Sequence, residues 1–287
     1  MAQPDGHLAL LFPGQGSQTA DMREQVEQHR PDLLELAFSE VSDDLFERAA
    51  DGTQWAQPAI FCAALAGWAQ LEDRYSPGLM AGHSLGEITA LVAAGALDAA
   101  DGLRLVAARG RLMQEAGGGG MMAVRVRDDR TPVEEAAAQT GLTIANDNAP
   151  DQLVLSGAED ALDRGEELLR ERKVRAKRLP VAGAFHSPLM EPAVAPFRDM
   201  VAGIEFRSPQ VPVLSCVTAA PFEDVGEQLV AALTNPVRWT DVLRALRSLG
   251  AERYVETGPG RVLTGLVRKT LEGAEAEAPL TMEAAGA

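Results

Sequence analysis

Residues 79–87 read Leu79-Met80-Ala81-Gly82-His83-Ser84-Leu85-Gly86-Glu87. The three apolar residues at the start predict a short buried strand, and the Ala-rich stretch 87–96 predicts a helix that begins directly after the turn. Between them lies Gly-x-Ser-x-Gly, the pattern of a strained strand-to-helix turn in which flanking glycines avoid clashes and the serine hydroxyl stands clear of the backbone. The segment therefore predicts an α/β fold that presents Ser84 at the end of a strand.

The same alternation of strands and helices continues on both sides of this turn. Apolar runs at 8–12, 211–217 and 253–256 predict further strands, and the intervening segments have helical patterns. One of these helices is expected to begin at Pro58, because proline is favoured at a first helical position. Alternating strands and helices indicate one mostly parallel sheet covered by helices.

The middle of the chain follows a different order. Residues 121–182 predict β-α-β-β-α-β, with an Asn/Asp/Pro turn joining the two central strands at 146–151, and this order is typical of a ferredoxin-like unit. We therefore expect an α/β-hydrolase-like large domain with a mostly parallel sheet, formed by residues 1–120 and 183–271, into which the small ferredoxin-like domain 121–182 is inserted. The Ala/Glu-rich segment 272–287 has no apolar period and is expected to be a disordered tail.

Composition narrows the class of protein. The 287 residues are 46% hydrophobic, enough for a substantial core, and the net charge of −16 argues against a nucleic-acid partner. The longest apolar run, 88–97, is too short to cross a bilayer, and no secretory signal is visible. Cys62 and Cys216 lie in apolar stretches typical of buried free thiols, and no residue cluster has metal-ligand spacing. We expect a soluble, cytoplasmic monomer without a metal site.

A serine nucleophile requires a base, since its hydroxyl is unreactive at its ordinary pKa. The chain has four histidines: His7, His29, His83 and His186. His7 lies in the N-terminal lead, His29 on a polar helix face, and His83 next to Ser84 on a sharp turn, where neighbouring side chains point apart. Elimination leaves His186, although a lone histidine is by default a solvated or core residue.

Two further features have more than one interpretation. The loop Gly14-Gln15-Gly16-Ser17-Gln18 follows a strand but lacks the Lys-Ser/Thr of a phosphate-binding loop, so it is better suited to donate an N–H to an oxyanion, as is Leu85 at the helix start. Arg109 lies on a half-apolar helix, where it either is solvated or clamps a substrate carboxylate.

Taken together, these segments resemble the malonyl-CoA:acyl-carrier-protein transacylases, including the discrete acyltransferases of polyketide synthesis. The resemblance covers residues 8–271. It rests on seven ordered blocks at residues 11–18, 57–59, 82–87, 109–113, 185–190, 235–239 and 256–266.

The resemblance implies a ping-pong acyl transfer without a bound cofactor. Ser84 would take a malonyl group from malonyl-CoA with His186 as base, and the phosphopantetheine thiol of an acyl carrier protein would then accept it. The backbone N–H groups of Gln15 and Leu85 are implied to form the oxyanion hole. A backbone carbonyl near Ala232, rather than an acidic side chain, is implied to orient the histidine.

The resemblance also suggests which acyl group is selected. Arg109 corresponds to the arginine that pairs with the malonyl carboxylate, and Gln57 to a glutamine in the same pocket. The triplet Ala184-Phe185-His186 is similar to that of malonyl-selective enzymes, in which a bulky residue before the histidine excludes methylmalonyl. Gly183, however, stands where that pattern often has histidine, which leaves transfer of another extender unit such as methylmalonyl as an alternative.

Carrier proteins are usually acidic, whereas this chain carries a charge of −16. The basic run 170–178 is the local exception; it is either a solvated face or, as we hypothesise, a carrier-docking edge centred on Arg175 and Lys177. Two other function classes share some of these features. A serine thioesterase or esterase has the same elbow, but its histidine lies near the C-terminus. A non-enzymatic relative is disfavoured by the intact Ser84, His186 and Arg109, and the sequence does not separate fatty-acid from polyketide synthesis.

Overall fold

The computed structural model of the protein describes residues 5–42, 44–181 and 183–280. Its strands within these ranges are β1 (Asp5–Phe12), β2 (Pro77–Gly82), β3 (Gly120–Arg125), β4 (Thr143–Ala149), β5 (Gln152–Gly157), β6 (Arg175–Arg178), β7 (Val213–Leu214), β8 (Arg253–Glu256) and β9 (Glu275–Glu277). Its helices are α1 (Met22–His29), α2 (Pro31–Glu40), α3 (Thr53–Leu71), α4 (Gly86–Ala93), α5 (Ala99–Ala116), α6 (Thr131–Thr140), α7 (Glu159–Glu171), α8 (Glu191–Ala202), α9 (Val225–Ala231), α10 (Trp239–Ser248) and α11 (Val262–Thr270).

The large sheet has the strand order β7-β2-β1-β8-β9, and every neighbouring pair is parallel. Residues 8–12 of β1 are all buried because helices cover both faces. Leu8, Leu10 and Phe12 point into the core beneath α3, α4 and α5, whereas Ala9 and Leu11 point into the core beneath α10 and α11. The expected mostly parallel sheet with helices on both sides is confirmed.

The small sheet is antiparallel, with the order β4-β5-β3-β6. Met122 and Leu155 on one face pack with α6 and α7 in a separate core, whereas Met121 and Val154 on the other face join the core of the large sheet. This order is that of a ferredoxin-like unit, as predicted. Its second face lies against the large sheet's layer and helps to wall the cleft described below. The boundaries of the two domains remain a prediction.

Several elements differ from the sequence-based expectation. Pro58 lies inside α3 rather than at its start, because the helix begins at Thr53. The missing N–H of the proline removes only one backbone hydrogen bond from a helix that is buried on almost all sides. The polar segment read as a turn is the second half of β4, which continues to Ala149. Two of its polar side chains, Asn146 and Asn148, line a cavity, and the strand therefore lacks an apolar pattern.

The expected tail also differs in its first part. Residues 275–277 form β9, which pairs with β8, and Leu280 is buried in the core. A strand of this length has too few residues for a recognisable period. The expectation for residues 281–287 lies outside the described part of the chain.

Candidate active site

Ser84 lies on the turn between β2 and α4. Its backbone is in the left-handed region, with φ of 54°. A Cβ on Gly82 would lie 1.9 Å from the backbone of Gly86, so only glycine fits there. The turn therefore holds Ser84 in a strained conformation that projects its hydroxyl from the end of the strand, as the sequence pattern predicts.

His186 contacts this hydroxyl directly, across 102 residues of sequence. Its Nε2 lies 2.8 Å from Ser84 Oγ, and its Nδ1 lies 2.8 Å from the carbonyl oxygen of Ala232 and 3.2 Å from that of Asn235. Carbonyls only accept hydrogen bonds, so Nδ1 carries the proton and Nε2 has a free lone pair. The imidazole is therefore oriented to accept the Ser84 proton.

The surroundings of His186 keep it neutral. Burial lowers the pKa of its imidazole to about 3, and the nearby charges of Arg109 and His83 act in the same direction. At neutral pH the ring consequently holds its lone pair, but it is a weak base in the unliganded protein. A negative group bound beside Arg109 would offset that cation and raise the basicity of His186.

Arg109 projects from α5 to the other side of the Ser84 hydroxyl, and only 3% of its surface is exposed. Its Nη2 donates to Ser84 Oγ at 3.1 Å, and its Nη1 donates to Gln57 Oε1 at 2.8 Å. Gln57 is in turn held by Thr53, through a 2.8 Å bond from Nε2 to Oγ1. Burial lowers the pKa of Arg109 to about 10, so the guanidinium stays charged. Of the two interpretations left open by the sequence, the solvated one is excluded.

The carboxylate of Glu87 is the counter-charge near Arg109, a feature that the sequence analysis missed. It is 1% exposed, lies one turn after Ser84 and accepts the backbone N–H of Cys216 at 2.6 Å. Burial raises the pKa of Glu87 to about 7. Cys216 also donates through Sγ to the carbonyl of Gly82 at 3.0 Å, and thus the segment that follows β7 is attached to both sides of the elbow. The sequence signal that could have revealed Glu87 is an acidic residue in the first turn of an otherwise apolar helix.

A cavity of about 940 Å³ opens over Ser84, and the residues predicted for the oxyanion hole and for acyl-group selection line it. Gln15 and Leu85 line it, and their backbone N–H groups have no acceptor among residues 5–42, 44–181 and 183–280. Phe185 lines it as well, and a Cβ on Gly183 would lie 2.4 Å from the Phe185 ring. Glycine at 183 therefore lets the ring fold back along its own chain.

His83 connects the elbow to the small domain. Its Nε2 lies 2.8 Å from Oδ1 of Asn148 in β4, and its ring meets Trp239 edge-on at 5.3 Å. The expectation that neighbours on the turn point apart holds for His83, which faces the small domain while Ser84 faces His186. The sequence pattern does not predict the contact with Asn148, because it indicates a turn at residues 146–151.

Arg175 and Lys177 lie outside this cavity, on β6 at the edge of the small sheet. With Arg125 and Lys173 they line a neighbouring groove of about 720 Å³. Lys269 and Gln152 line both the groove and the cavity, so the two are adjacent. Neither Arg175 nor Lys177 has an ion-pair partner in the described ranges, whereas Arg178 beside them pairs with three carboxylates.

Two further observations on the described residues concern metal sites and membrane spans. No group of three His, Cys, Asp or Glu side chains among them is arranged to hold a metal ion. None of their helices combines the length and the apolar character that a membrane span requires.

Comparison with known proteins places this geometry in a family. The acyl transferase domain family matches residues 9–283. The malonyl CoA-acyl carrier protein transacylase of Salmonella typhimurium is 37% identical over 294 residues, which cover 94% of this chain and 95% of that protein. The polyketide biosynthesis protein ThaF of Burkholderia thailandensis is 41% identical over 277 residues, but the match spans 92% of this chain and only 24% of ThaF. The chain thus matches one part of a much longer protein in that case.

Solved structures agree with the sequence matches. The malonyl-CoA:acyl carrier protein transacylase of Xanthomonas oryzae pv. oryzae superposes with a TM-score of 0.90 at 37% identity. The superposition covers 99% of this chain and 98% of the transacylase. A malonyl-transacylase solved in complex with a type II polyketide synthase acyl-carrier protein, PlMCAT:AntF, gives a TM-score of 0.86 at 34% identity, with 94% of each chain covered. With an acyl transferase match over almost its whole length and relatives of this identity and coverage, the chain belongs to the acyl transferase family, among the malonyl-CoA:acyl-carrier-protein transacylases.

Proposed function

We propose that this protein moves a malonyl group from malonyl-CoA, through an ester on Ser84, to the phosphopantetheine thiol of an acyl carrier protein of fatty-acid or polyketide synthesis. The observation that carries the proposal is the double contact at Ser84 Oγ, which meets a proton acceptor, His186 Nε2, at 2.8 Å and a buried guanidinium, Arg109, at 3.1 Å. A base activates the nucleophile, and a cation in a dry pocket selects an acyl group that ends in a carboxylate.

In the first half-reaction, Ser84 Oγ attacks the thioester carbonyl of malonyl-CoA while its proton moves to His186 Nε2. A C–O bond forms, and the tetrahedral oxyanion receives hydrogen bonds from the backbone N–H groups of Gln15 and Leu85. The C–S bond then breaks, and the departing thiolate takes the proton from Nε2. The products are malonyl-Ser84 and free CoA thiol.

In the second half-reaction, the carrier thiol gives its proton to His186 Nε2 and attacks the ester carbonyl. The C–Oγ bond breaks, and Ser84 recovers the proton. Throughout, the carbonyls of Ala232 and Asn235 hold Nδ1–H and stabilise the imidazolium that forms in each half-reaction. No acidic third residue is required.

Residues on the other side of the cavity from His186 select for malonyl. The substrate carboxylate replaces Ser84 Oγ as the acceptor of Arg109, while Gln57 keeps the guanidinium in place. Phe185 occupies the space next to the acyl group and limits branching at its α-carbon.

The test is labelling of the purified protein with a panel of acyl-CoA thioesters, measured by intact mass. Malonyl-CoA is expected to add one malonyl group, which the carrier then removes, and Ser84→Ala is expected to add none. A thioesterase would instead release free malonate whether or not the carrier is present, and absence of any adduct would favour a non-enzymatic role.

The groove beside the cavity is our proposed docking site for the carrier. Arg175 and Lys177 supply unpaired positive charge on an otherwise acidic protein, and the groove adjoins the cavity at Lys269. Reversing both charges to glutamate should raise the KM for the carrier and flatten its salt dependence, while labelling by malonyl-CoA stays unchanged. A carrier KM and salt dependence equal to those of the native protein would exclude this surface.

We further propose that the enzyme works as a cytoplasmic monomer without a resident cofactor, and that residues 1–120 with 183–271, and residues 121–182, are its two domains. The groups that contact Ser84 Oγ are a base, His186, and a hydrogen-bond donor, Arg109. Such acid–base and hydrogen-bonding groups suffice for acyl transfer. Full labelling after dialysis against a chelator would support the absence of a resident cofactor. A monomeric mass in solution would support the monomeric state.

A further inference from the structure

A buried hydroxyl in the loop after β1 holds one peptide unit of the proposed oxyanion hole. Ser17 is only 3% exposed, and its Oγ donates to the carbonyl oxygen of Gly14 at 2.8 Å. That carbonyl belongs to the same peptide unit as the backbone N–H of Gln15. Because C=O and N–H point in opposite directions across a planar trans peptide, a bond to the oxygen also fixes the direction of the N–H.

Ser17 acts from behind the wall of the cavity. Gln15 and Gly16 on one side and Gln18 on the other line the cavity over Ser84, whereas Ser17 between them does not. Its side chain therefore does not contact a substrate, and its only described hydrogen bond from Oγ is the one to Gly14. Any effect of this hydroxyl on the reaction passes through the peptide unit that it holds.

The next N–H along the loop is already occupied. Gly16 has a φ of 103°, and its N–H donates to Oε1 of Gln18 at 2.6 Å. This N–H is consequently unavailable to an oxyanion, whereas the N–H of Gln15 has no acceptor in the described ranges. The loop thus offers the Gln15 N–H in preference to that of its neighbour.

The main chain of the loop is packed closely on both sides. A Cβ on Gly14 would lie 2.5 Å from the carbonyl oxygen of His83, and a Cβ on Gly260 would lie 3.0 Å from that of Ser17. The loop therefore cannot move as a whole relative to the elbow. Single peptide units next to glycine still turn readily, since glycine lacks a Cβ, and the Gly14–Gln15 peptide needs a restraint of its own.

We propose that Ser17 is a positioning residue for the oxyanion hole: its hydroxyl holds the Gly14–Gln15 peptide so that the Gln15 N–H is directed at the oxyanion in both half-reactions. The inference rests on the proposed function, because it takes Gln15 as a donor to that oxyanion. A donor that is already oriented stabilises the charge without reorganisation as the charge develops. The bond that Gly14 accepts also polarises the N–H of the same peptide unit and strengthens its donation.

The experiment compares the native protein with Ser17→Ala, which removes the hydroxyl, and with Thr140→Val as the matched control. Thr140 also donates a buried hydroxyl to a backbone carbonyl, that of Ala136 at 2.7 Å, but it lies on α6 outside the cavity. Ser17→Ala is expected to lower the limiting rate of Ser84 labelling by malonyl-CoA about 10-fold, less than the roughly 100- to 1,000-fold for deletion of an oxyanion donor, because the N–H is released and not removed. The malonyl-CoA concentration that gives half of this rate should change by less than about 2-fold, as for an interaction made only in the transition state. Thr140→Val should alter neither value.

A second readout is the affinity for an alkylboronic acid that ends in a carboxylate. Its boron bonds to Ser84 Oγ while the serine proton passes to His186, and the tetrahedral adduct places a boron-bound oxygen at the oxyanion position. Ser17→Ala should weaken this binding by the same factor as the labelling rate. The affinity for CoA, which forms no tetrahedral adduct, should stay unchanged.

Three results would overturn the inference. Equal losses of affinity for the boronic acid and for CoA, or equal losses of labelling rate in Ser17→Ala and Thr140→Val, would mean that Ser17 only supports the fold. An unchanged labelling rate in Ser17→Ala would mean that the peptide needs no restraint. Ser17→Cys, which has only a weak donor, serves with the same criteria if the alanine variant does not fold. Native protein that forms no malonyl-Ser84 with malonyl-CoA would overturn the proposed function itself, independently of the variants.

Discussion

The most informative perturbation is removal of the guanidinium of Arg109. The proposed mechanism gives this group one role that depends on the substrate, the pairing with the malonyl carboxylate, and no role in the bond changes at the carbonyl. Arg109→Ala should therefore impair transfer of malonyl much more than transfer of acetyl, which has no carboxylate.

The size of the effect follows from burial. A charge-assisted hydrogen-bonded pair in such a pocket contributes about 1.5–3 kcal/mol, which corresponds to roughly a 10- to 150-fold change in the ratio of the two kcat/KM values. Loss of Arg109 also leaves Glu87 without its counter-charge. Because the pKa of Glu87 is already raised to about 7 by burial, this carboxyl can take up a proton instead of remaining as an unpaired buried charge. That structural cost is common to both substrates and cancels in the ratio.

The assay measures labelling rates with malonyl-CoA and acetyl-CoA for the native protein, Arg109→Ala and Arg111→Ala. Arg111 lies two residues further along α5, with 57% of its side chain exposed and Glu115 at 3.7 Å, so it controls for loss of a cation from the same helix. We expect the ratio to change only in the Arg109 variant. If malonyl and acetyl transfer fell by the same factor, Arg109 would act through the fold of the elbow, and the carboxylate pairing would be refuted.

Three other perturbations test separate parts of the site. Gly82→Ala should lower the melting temperature and abolish labelling, because its Cβ would lie 1.9 Å from the backbone of Gly86. The control Gly203→Ala, whose Cβ would lie 3.5 Å from its nearest neighbour, should do neither. Labelling of the Gly82→Ala variant would argue against the strained turn. His186 has a folded-state pKa of about 3, below its ordinary value, so the unfolded chain alone takes up a proton as the pH falls below about 6.5. Between roughly pH 5.5 and 4.5, the unfolding free energy of the native protein should therefore fall with pH more steeply than that of His186→Gln, by about 1.4 kcal/mol per pH unit. Urea titrations at several pH values measure this difference, and parallel curves for the two proteins would contradict a buried neutral imidazole. Phe185→Ala should reduce the preference for malonyl over methylmalonyl by about 10-fold in competition labelling, as expected for one methyl group in a tight pocket, and an unchanged preference would assign selectivity to another residue.

The elements that the sequence predicts best are those whose signal is local. The apolar run of β1 and the glycines of the elbow depend on steric and solvation effects within a few residues, and both have the expected structure. The signal is weakest where polar residues face a cavity, as in the second half of β4. An apolar or alternating pattern detects burial against a hydrophobic core, and a strand that lines a polar cleft lacks that pattern.

The sequence also limited the candidate site to a few residues. Ser84 follows from the elbow alone, and His186 follows from the small number of histidines together with the need for a base. The family resemblance then favoured one of the two interpretations of Arg109 and added Gln57 and the carbonyl of Ala232. These residues lie around one hydroxyl or its base in the structure.

What the sequence by itself determined is thus the position of Ser84 on its turn, the local geometry of strand, turn and helix around it, and the class of fold. Only the tertiary structure decided how Ser84, His186 and Arg109 meet, since their contacts join positions 25 and 102 residues apart. It also revealed Glu87 beneath the elbow and Asn146 beside the cavity. The physical reason is that such contacts depend on which strands are neighbours and how the small domain packs on the large one, and no pattern within a single segment contains that information.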